Sequence, residues 1–200
     1  MFRYSTNDYN ESLLMMGIIR VGTLHDFRRL EHQNGIADPQ EGKKSVSHHI
    51  EHTHILDSND PDAKTMENFG AVKFGNSTSH TIMKNIDLVK TFDHPDFFIF
   101  CTSHEASTAV MKEFEGADSC IEIVKVSNFY SLLTELINKH VPVEFQGVHK
   151  VVYQNKQEKW NGVNWGISPA LIKEPAFIKQ KEPITPSRAG GLVGNRQRRL

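Results

Sequence analysis

Residues 96–103 read DFFIFCTS, the most apolar run in the 200-residue chain. Aromatic and β-branched residues fill it, and it is too short for a helix, so it predicts a strand at the centre of a sheet. On its N-terminal side, AVKFGNSTSHTIM (71–83) reads as a hairpin pivoting on Gly75 and Asn76, and DSNDPDAK (57–64) as a solvated turn. Residues 45–56 alternate. His48, Ile50, His52 and His54 share one side of the expected strand, and His49, Glu51, Thr53 and Ile55 share the other. GIADPQEG (35–42) is a surface loop by composition. The chain opens with a β-leaning FRYST (2–6), a helix capped at Asn7 or Asp8 and stopped by Gly17, a short strand ending near Thr23, and a helical turn with Phe27, Arg28 and Leu30.

On its C-terminal side, STAVMKEFEG (107–116) predicts a short helix, SCIEIVKV (119–126) a strand and NFYSLLTELINKH (128–140) an amphipathic helix. A strand follows around GVHKVVYQ, then a long loop over 154–170 with Trp160 and Trp165, then a turn of helix and a last short strand within SPALIKEPAFIKQKE (168–182). Helices and strands interleave but hairpins outnumber crossovers, which predicts an α+β fold with mixed or antiparallel sheets and short flanking helices. One domain is expected over 1–186, with residues 187–200 a basic, flexible tail that lacks core periodicity.

Lysine plus arginine (23) nearly cancels aspartate plus glutamate (24), so any polynucleotide partner has to be held by a local patch. Cys101 and Cys120, each among apolar neighbours, exclude a disulfide scaffold and read as small core residues of a reducing compartment. No secretory start and no run long enough to cross a bilayer is present, so a cytoplasmic protein without membrane contact is expected.

The common nucleotide loops G-x-G-x-x-G and G-x-x-x-x-G-K-[ST] are missing, as is a G-x-S-x-G elbow. Among the acids, no spacing selects a pair for glycoside hydrolysis. His48, His49, His52 and His54 are conspicuous, because imidazoles two apart on a strand can converge on one metal ion; a metal-dependent hydrolase using His48, His52 and His54 is one reading. Without a third well-placed ligand and a second shell, the residues assign no metal, and a half-exposed strand is the simpler account.

A further pattern is spread over the chain: Phe2–Thr6, Cys101–Ser103, GADSCIEI (116–123), Val151–Tyr153 and Phe177–Glu182. In order and spacing, over residues 1–182, it resembles a family of uncharacterised bacterial proteins of defence or toxin type. These open with an aromatic-basic-tyrosine strand, carry a C-[FLT]-S strand in mid-chain and finish with an acid-x-glutamate strand. That arrangement is similar to the ADP-ribosyltransferase fold. The resemblance implies a mono-ADP-ribosyltransferase that moves ADP-ribose from NAD to a macromolecular acceptor, RNA, DNA or protein, as a toxin or phage-defence effector with an antitoxin partner. It implies Arg3 and Tyr4 as NAD-binding residues of the first strand, Thr23 or Ser103 as the supporting hydroxyl, and Gln180 and Glu182 as the catalytic Q-x-E pair. Pro183 and Ile184 replace the family's usual continuation, which makes Glu174 a competing carboxylate.

The chemistry asks for these types. Breaking the nicotinamide–ribose bond passes through a cation-like sugar that a carboxylate such as Glu182 stabilises, and Gln180, two positions earlier on a strand, shares its face and can orient the acceptor. An arginine fork suits a diphosphate oxygen, and a tyrosine ring suits stacking on nicotinamide. The other class of reading is a catalytically inert binding module of the same fold.

Overall fold

The computed structural model describes residues 1–29, 38–75, 80–114, 116–175 and 188–195. In chain order the elements are β1 (Phe2–Ser5), α1 (Asn7–Met16), β2 (Gly22–Thr23), β3 (Lys43–Ile55), α2 (Pro61–Phe69), β4 (Thr81–Asp93), β5 (Phe98–Ser103), α3 (Thr108–Lys112), β6 (Ser119–Glu122), α4 (Val126–Asn138), β7 (Val143–Lys150), β8 (Val152–Tyr153), β9 (Gln157–Lys159), β10 (Ile172–Lys173) and β11 (Arg188–Asn195). This is a mixed α+β fold with antiparallel and mixed sheets and short helices. Among the described residues no helix is long and apolar enough to cross a membrane.

The chain gathers into two compact units. The larger takes its described residues from Met1–Gly42, His94–Gln154 and Ser168–Leu200, and the smaller is Lys43–Asp93 with Asn155–Ile167.

The larger unit is built on β5. The strand order is β6-β1-β5-β11-β7, with β2 also paired to β5. Phe2 faces Ser103 across the β1–β5 pair, while Gly22 and Thr23 face Ile99 and Phe98. Residues 188–195, within the stretch read as a flexible tail, form β11, antiparallel to both β5 and β7. The apolar run of β5 is explained by burial on both faces. Ile99 packs with Leu24, Phe97 and Ala170, and Phe100 packs on the other face with Ile123, Tyr130 and Leu133. Each such Ile, Leu or Phe side chain contributes about 1.5–3 kcal/mol on full burial.

Local chemistry sets the helix ends. Thr6, one residue before the expected caps, receives the Tyr9 N–H on its side chain, and Gly17 closes α1 at φ 66° with its N–H on the Leu13 carbonyl. Ser107 caps α3 through the Val110 N–H.

The smaller unit is a long antiparallel β3–β4 pair with β9 added in parallel to β3. The stretch read as a solvated turn runs into α2, with Asp60 as N-cap and Pro61 in the first turn; Ala63, Met66 and Phe69 supply its buried stripe. β4 begins at Thr81 and pairs with β3, not with residues 71–74 as the expected hairpin required; Asn76 lies outside the described residues. Trp160 and Trp165, read as loop residues, stack at 5.9 Å and pack on Phe69 within this unit's core.

The histidine strand changes face partway. Lys44, Val46 and Ile50 are buried in its first part, but Thr53 and Ile55 are buried after it. Opposite the changeover stands Asn85 at φ 51°, in the left-handed region. His48 therefore turns inward, edge-on to Trp160 at 5.5 Å, while His52 and His54 are exposed. The expected alternation put all three on one side. His49 instead pairs with Asp87 at 2.6 Å. Among the described residues no three His, Cys, Asp or Glu side chains gather as metal ligands would.

Candidate functional site

β1 and β5 alternate, so Phe2 and Tyr4 share a face with Ile99, Cys101 and Ser103. These five side chains line a cavity of about 160 Å³ in the larger unit, completed by Thr102, Phe27, Phe114, Glu41 and Lys173. From Ile99 to Ser103 the strand rises about 13 Å, which gives the cavity the form of a trough along β5.

Tyr4 is held at both ends. Its hydroxyl donates to the Glu105 carbonyl at 2.7 Å and accepts from the Ser107 N–H at 2.7 Å. Its ring stacks on Phe114 with centroids 5.8 Å apart and planes 12° apart. Burial raises the phenol's pKa above its ordinary value, and the neighbouring Cys120 adds to the rise. Ser103 is buried and accepts the Glu105 N–H at 3.2 Å, which fixes the same loop from the β5 side.

The polar part of the lining comes from a loop and a two-residue strand. Asp38 and Glu41, in the stretch read as a surface loop, are each only 3% exposed. The Glu41 carboxylate lies 2.9 Å from Lys173 Nζ, and Arg28 Nε donates to the Glu41 backbone carbonyl at 2.7 Å. Gly42 makes this turn possible. At φ 68° it lies in the left-handed region, and a Cβ there would come within 2.5 Å of Leu24. Gly22 similarly admits the Phe27 ring, which a Cβ would meet at 3.1 Å.

The residues expected at the site divide. Tyr4 and Ser103 meet in the cavity. Arg3 follows Phe2 in a strand and so projects to the opposite face. It is 8% exposed there, its guanidinium carbon 5.3 Å from the Phe100 ring centroid and Nη1 without a hydrogen-bond partner among the described residues. Desolvation lowers its pKa, though an arginine stays charged throughout. Thr23 accepts the Asp26 N–H at 3.1 Å and caps the turn after β2; it does not line the cavity. Glu174 follows Lys173 and is not part of the lining either. Gln180 and Glu182 lie outside the described residues.

Glu41, Lys173, Phe27, Phe114 and Cys101 were not anticipated. Cys101 read as core, yet both cysteines are exposed. The Glu-Gly pair at 41–42 was the available signal for the polar end: an acid ahead of a glycine that can turn with positive φ.

Chemically, the lining residues carry four aromatic rings, a carboxylate–ammonium pair, the hydroxyls of Tyr4, Thr102 and Ser103, and a thiol. Such a trough suits a flat aromatic group with a polar substituent. Comparison with protein families, with curated proteins and with solved structures finds no match for the chain.

Proposed function

We propose that the chain is an NAD-consuming mono-ADP-ribosyltransferase with an ADP-ribosyltransferase-like fold, whose donor site is the trough along β5. One observation carries the reading: Tyr4 of the first strand and Ser103 of the mid-chain strand line the same aromatic cavity. A dry cavity of about 150 Å³ accepts a benzene-sized ring, so about 160 Å³ suits the nicotinamide end of NAD, the rest of the dinucleotide extending out of it. The first and last described strands, β1 and β11, both border β5; Glu182 lies outside the described residues. Tyr4 and Phe114 provide aromatic surface for nicotinamide. Arg3, on the other side of β1, is assigned packing against Phe100 and not the NAD diphosphate.

In the reaction the bond from ribose C1′ to the nicotinamide nitrogen breaks with its electron pair going to nicotinamide, leaving a cation-like sugar. The Glu182 carboxylate stabilises that charge and accepts a ribose hydroxyl proton in a hydrogen bond. Gln180 orients the acceptor nucleophile, which bonds to C1′ and loses its proton to solvent. The acceptor is a macromolecule, nucleic acid or protein; Lys43 and Lys44 begin β3, where Lys44 is buried against Glu158, so they do not form a basic loop that would favour a polyanion. A cytoplasmic toxin or defence effector with a neutralising partner is the setting such an activity fits.

Incubation with labelled NAD and cell extract tests this. Label transfer or nicotinamide release by the wild type, lost in Glu182→Ala, is expected. Neither transfer nor NAD hydrolysis by the wild type would overturn the enzyme and favour an inert binding module.

A further inference from the structure

Glu41 is an unusual wall for an aromatic trough. Its carboxylate is buried, the main chain around it is set by Gly42 and by the Arg28 contact to its carbonyl, and its side chain lines the cavity. Oε2 stands 2.9 Å from Lys173 Nζ, yet receives no well-aligned hydrogen bond among the described residues. A carboxylate offers about four lone-pair sites, so one close ammonium at the buried Oε2 leaves acceptor capacity on the carboxylate. Lys173 balances the charge, and the pair as a whole presents neither net anion nor net cation.

A buried acceptor of this kind demands a donor. A ligand that lacks one leaves the carboxylate unsatisfied, and a ligand bearing its own carboxylate sets a second anion, with no proton to donate, beside the one paired with Lys173. We propose that Glu41, steadied by Lys173, accepts a hydrogen bond from the N–H of a ring-borne carboxamide, and so makes this site select an aromatic amide over the corresponding aromatic acid. The inference rests on the reading of the trough as the nicotinamide end of an NAD site, and adds the residue that tells NAD from its deamidated counterpart.

Cys101 supplies the readout, because it is exposed and lines the same cavity, whereas Cys120 is exposed outside the lining and serves as the comparator. The rate of iodoacetamide alkylation at each thiol is followed by peptide mass spectrometry during titration with nicotinamide, benzamide, nicotinate or NAD. Nicotinamide and benzamide protect Cys101 at concentrations at least about 100-fold below nicotinate. Glu41→Gln keeps the shape and removes the anion, and brings the amide-to-acid ratio to within about threefold. A purely structural role for Glu41 would leave that ratio unchanged. Protection by NAD and nicotinamide with the same ratio in Glu41→Gln as in wild type overturns the inference while leaving the NAD reading intact. Should the variant not fold, equal protection of the wild type by nicotinamide and nicotinate overturns it equally well. Absence of protection by NAD and by nicotinamide overturns both.

Discussion

The phenol oxygen of Tyr4 accepts a 2.7 Å hydrogen bond from the backbone N–H of Ser107, the residue that caps α3. A side chain of the first strand thereby fixes the loop after β5, and its ring is held as a wall of the trough.

Tyr4→Phe keeps the wall and removes this tie. The Ser107 N–H and the Glu105 carbonyl lose a partner, which costs about 1–2 kcal/mol at neutral pH in urea unfolding. The pH dependence has a definite sign. Burial raises the Tyr4 pKa in the folded state, so below the unfolded value of about 10 both states are protonated and the stability is fully present. Above it the unfolded chain ionises first, and stability falls as pH rises towards the folded value. The wild type therefore loses stability above about pH 9 more steeply than Tyr4→Phe.

The Glu41–Lys173 pair is a buried charge pair with both side chains at most 10% exposed. Removing Lys173 takes the close ammonium from the buried Glu41 carboxylate, so Lys173→Ala destabilises the larger unit by about 3–5 kcal/mol. The double variant Glu41→Gln with Lys173→Met recovers most of that loss. A double-mutant cycle by denaturant unfolding measures the coupling, and additive single effects would contradict the pair.

Arg3 is a buried cation over a phenyl ring. Arg3→Met retains the length of the stem without the charge, and is neutral or stabilising by about 1 kcal/mol. Arg3→Ala loses the packing and destabilises by about 1–3 kcal/mol. Neither changes the affinity for NAD beyond about twofold, as calorimetry can measure; a tenfold loss in Arg3→Met would put the guanidinium on the ligand.

Two glycines of the larger unit share the left-handed backbone but differ in surroundings. A Cβ at Gly17 would meet nothing within 4 Å, whereas one at Gly42 would meet Leu24 at 2.5 Å. Gly17→Ala costs about 1–2 kcal/mol from backbone strain alone. Gly42→Ala adds an overpacking penalty of about 1–3 kcal/mol, and it alone shifts Cys101 alkylation, because Glu41 is displaced with it.

The elements carried by strong local signals were legible. The Phe97–Phe100 run marked the central strand, and Gly17 marked the end of α1, because these patterns depend on the chain's own period and backbone. Those that depend on distant partners were not. β11 has two adjacent glycines and no alternation, and exists as a strand through its pairing with β5 and β7. The changeover of faces in β3 stands opposite Asn85 in another strand, so alternation within 45–56 had no means of reporting it. At the site, Tyr4 and Ser103 could be named from motif order, but the inversion of Arg3 relative to Tyr4 follows from strand alternation together with the choice of which face carries the cavity. The Glu41–Lys173 pair joins a loop to β10, and no spacing in the sequence announces it.

The central claim is that the trough along β5 holds the nicotinamide end of NAD. A crystal structure of the protein soaked at saturating NAD measures this directly. The account predicts a planar ring packed against Tyr4 and Phe114, its carboxamide nitrogen within hydrogen-bond distance of the Glu41 carboxylate. Density for NAD at a different surface, or an open trough at saturation, would contradict it.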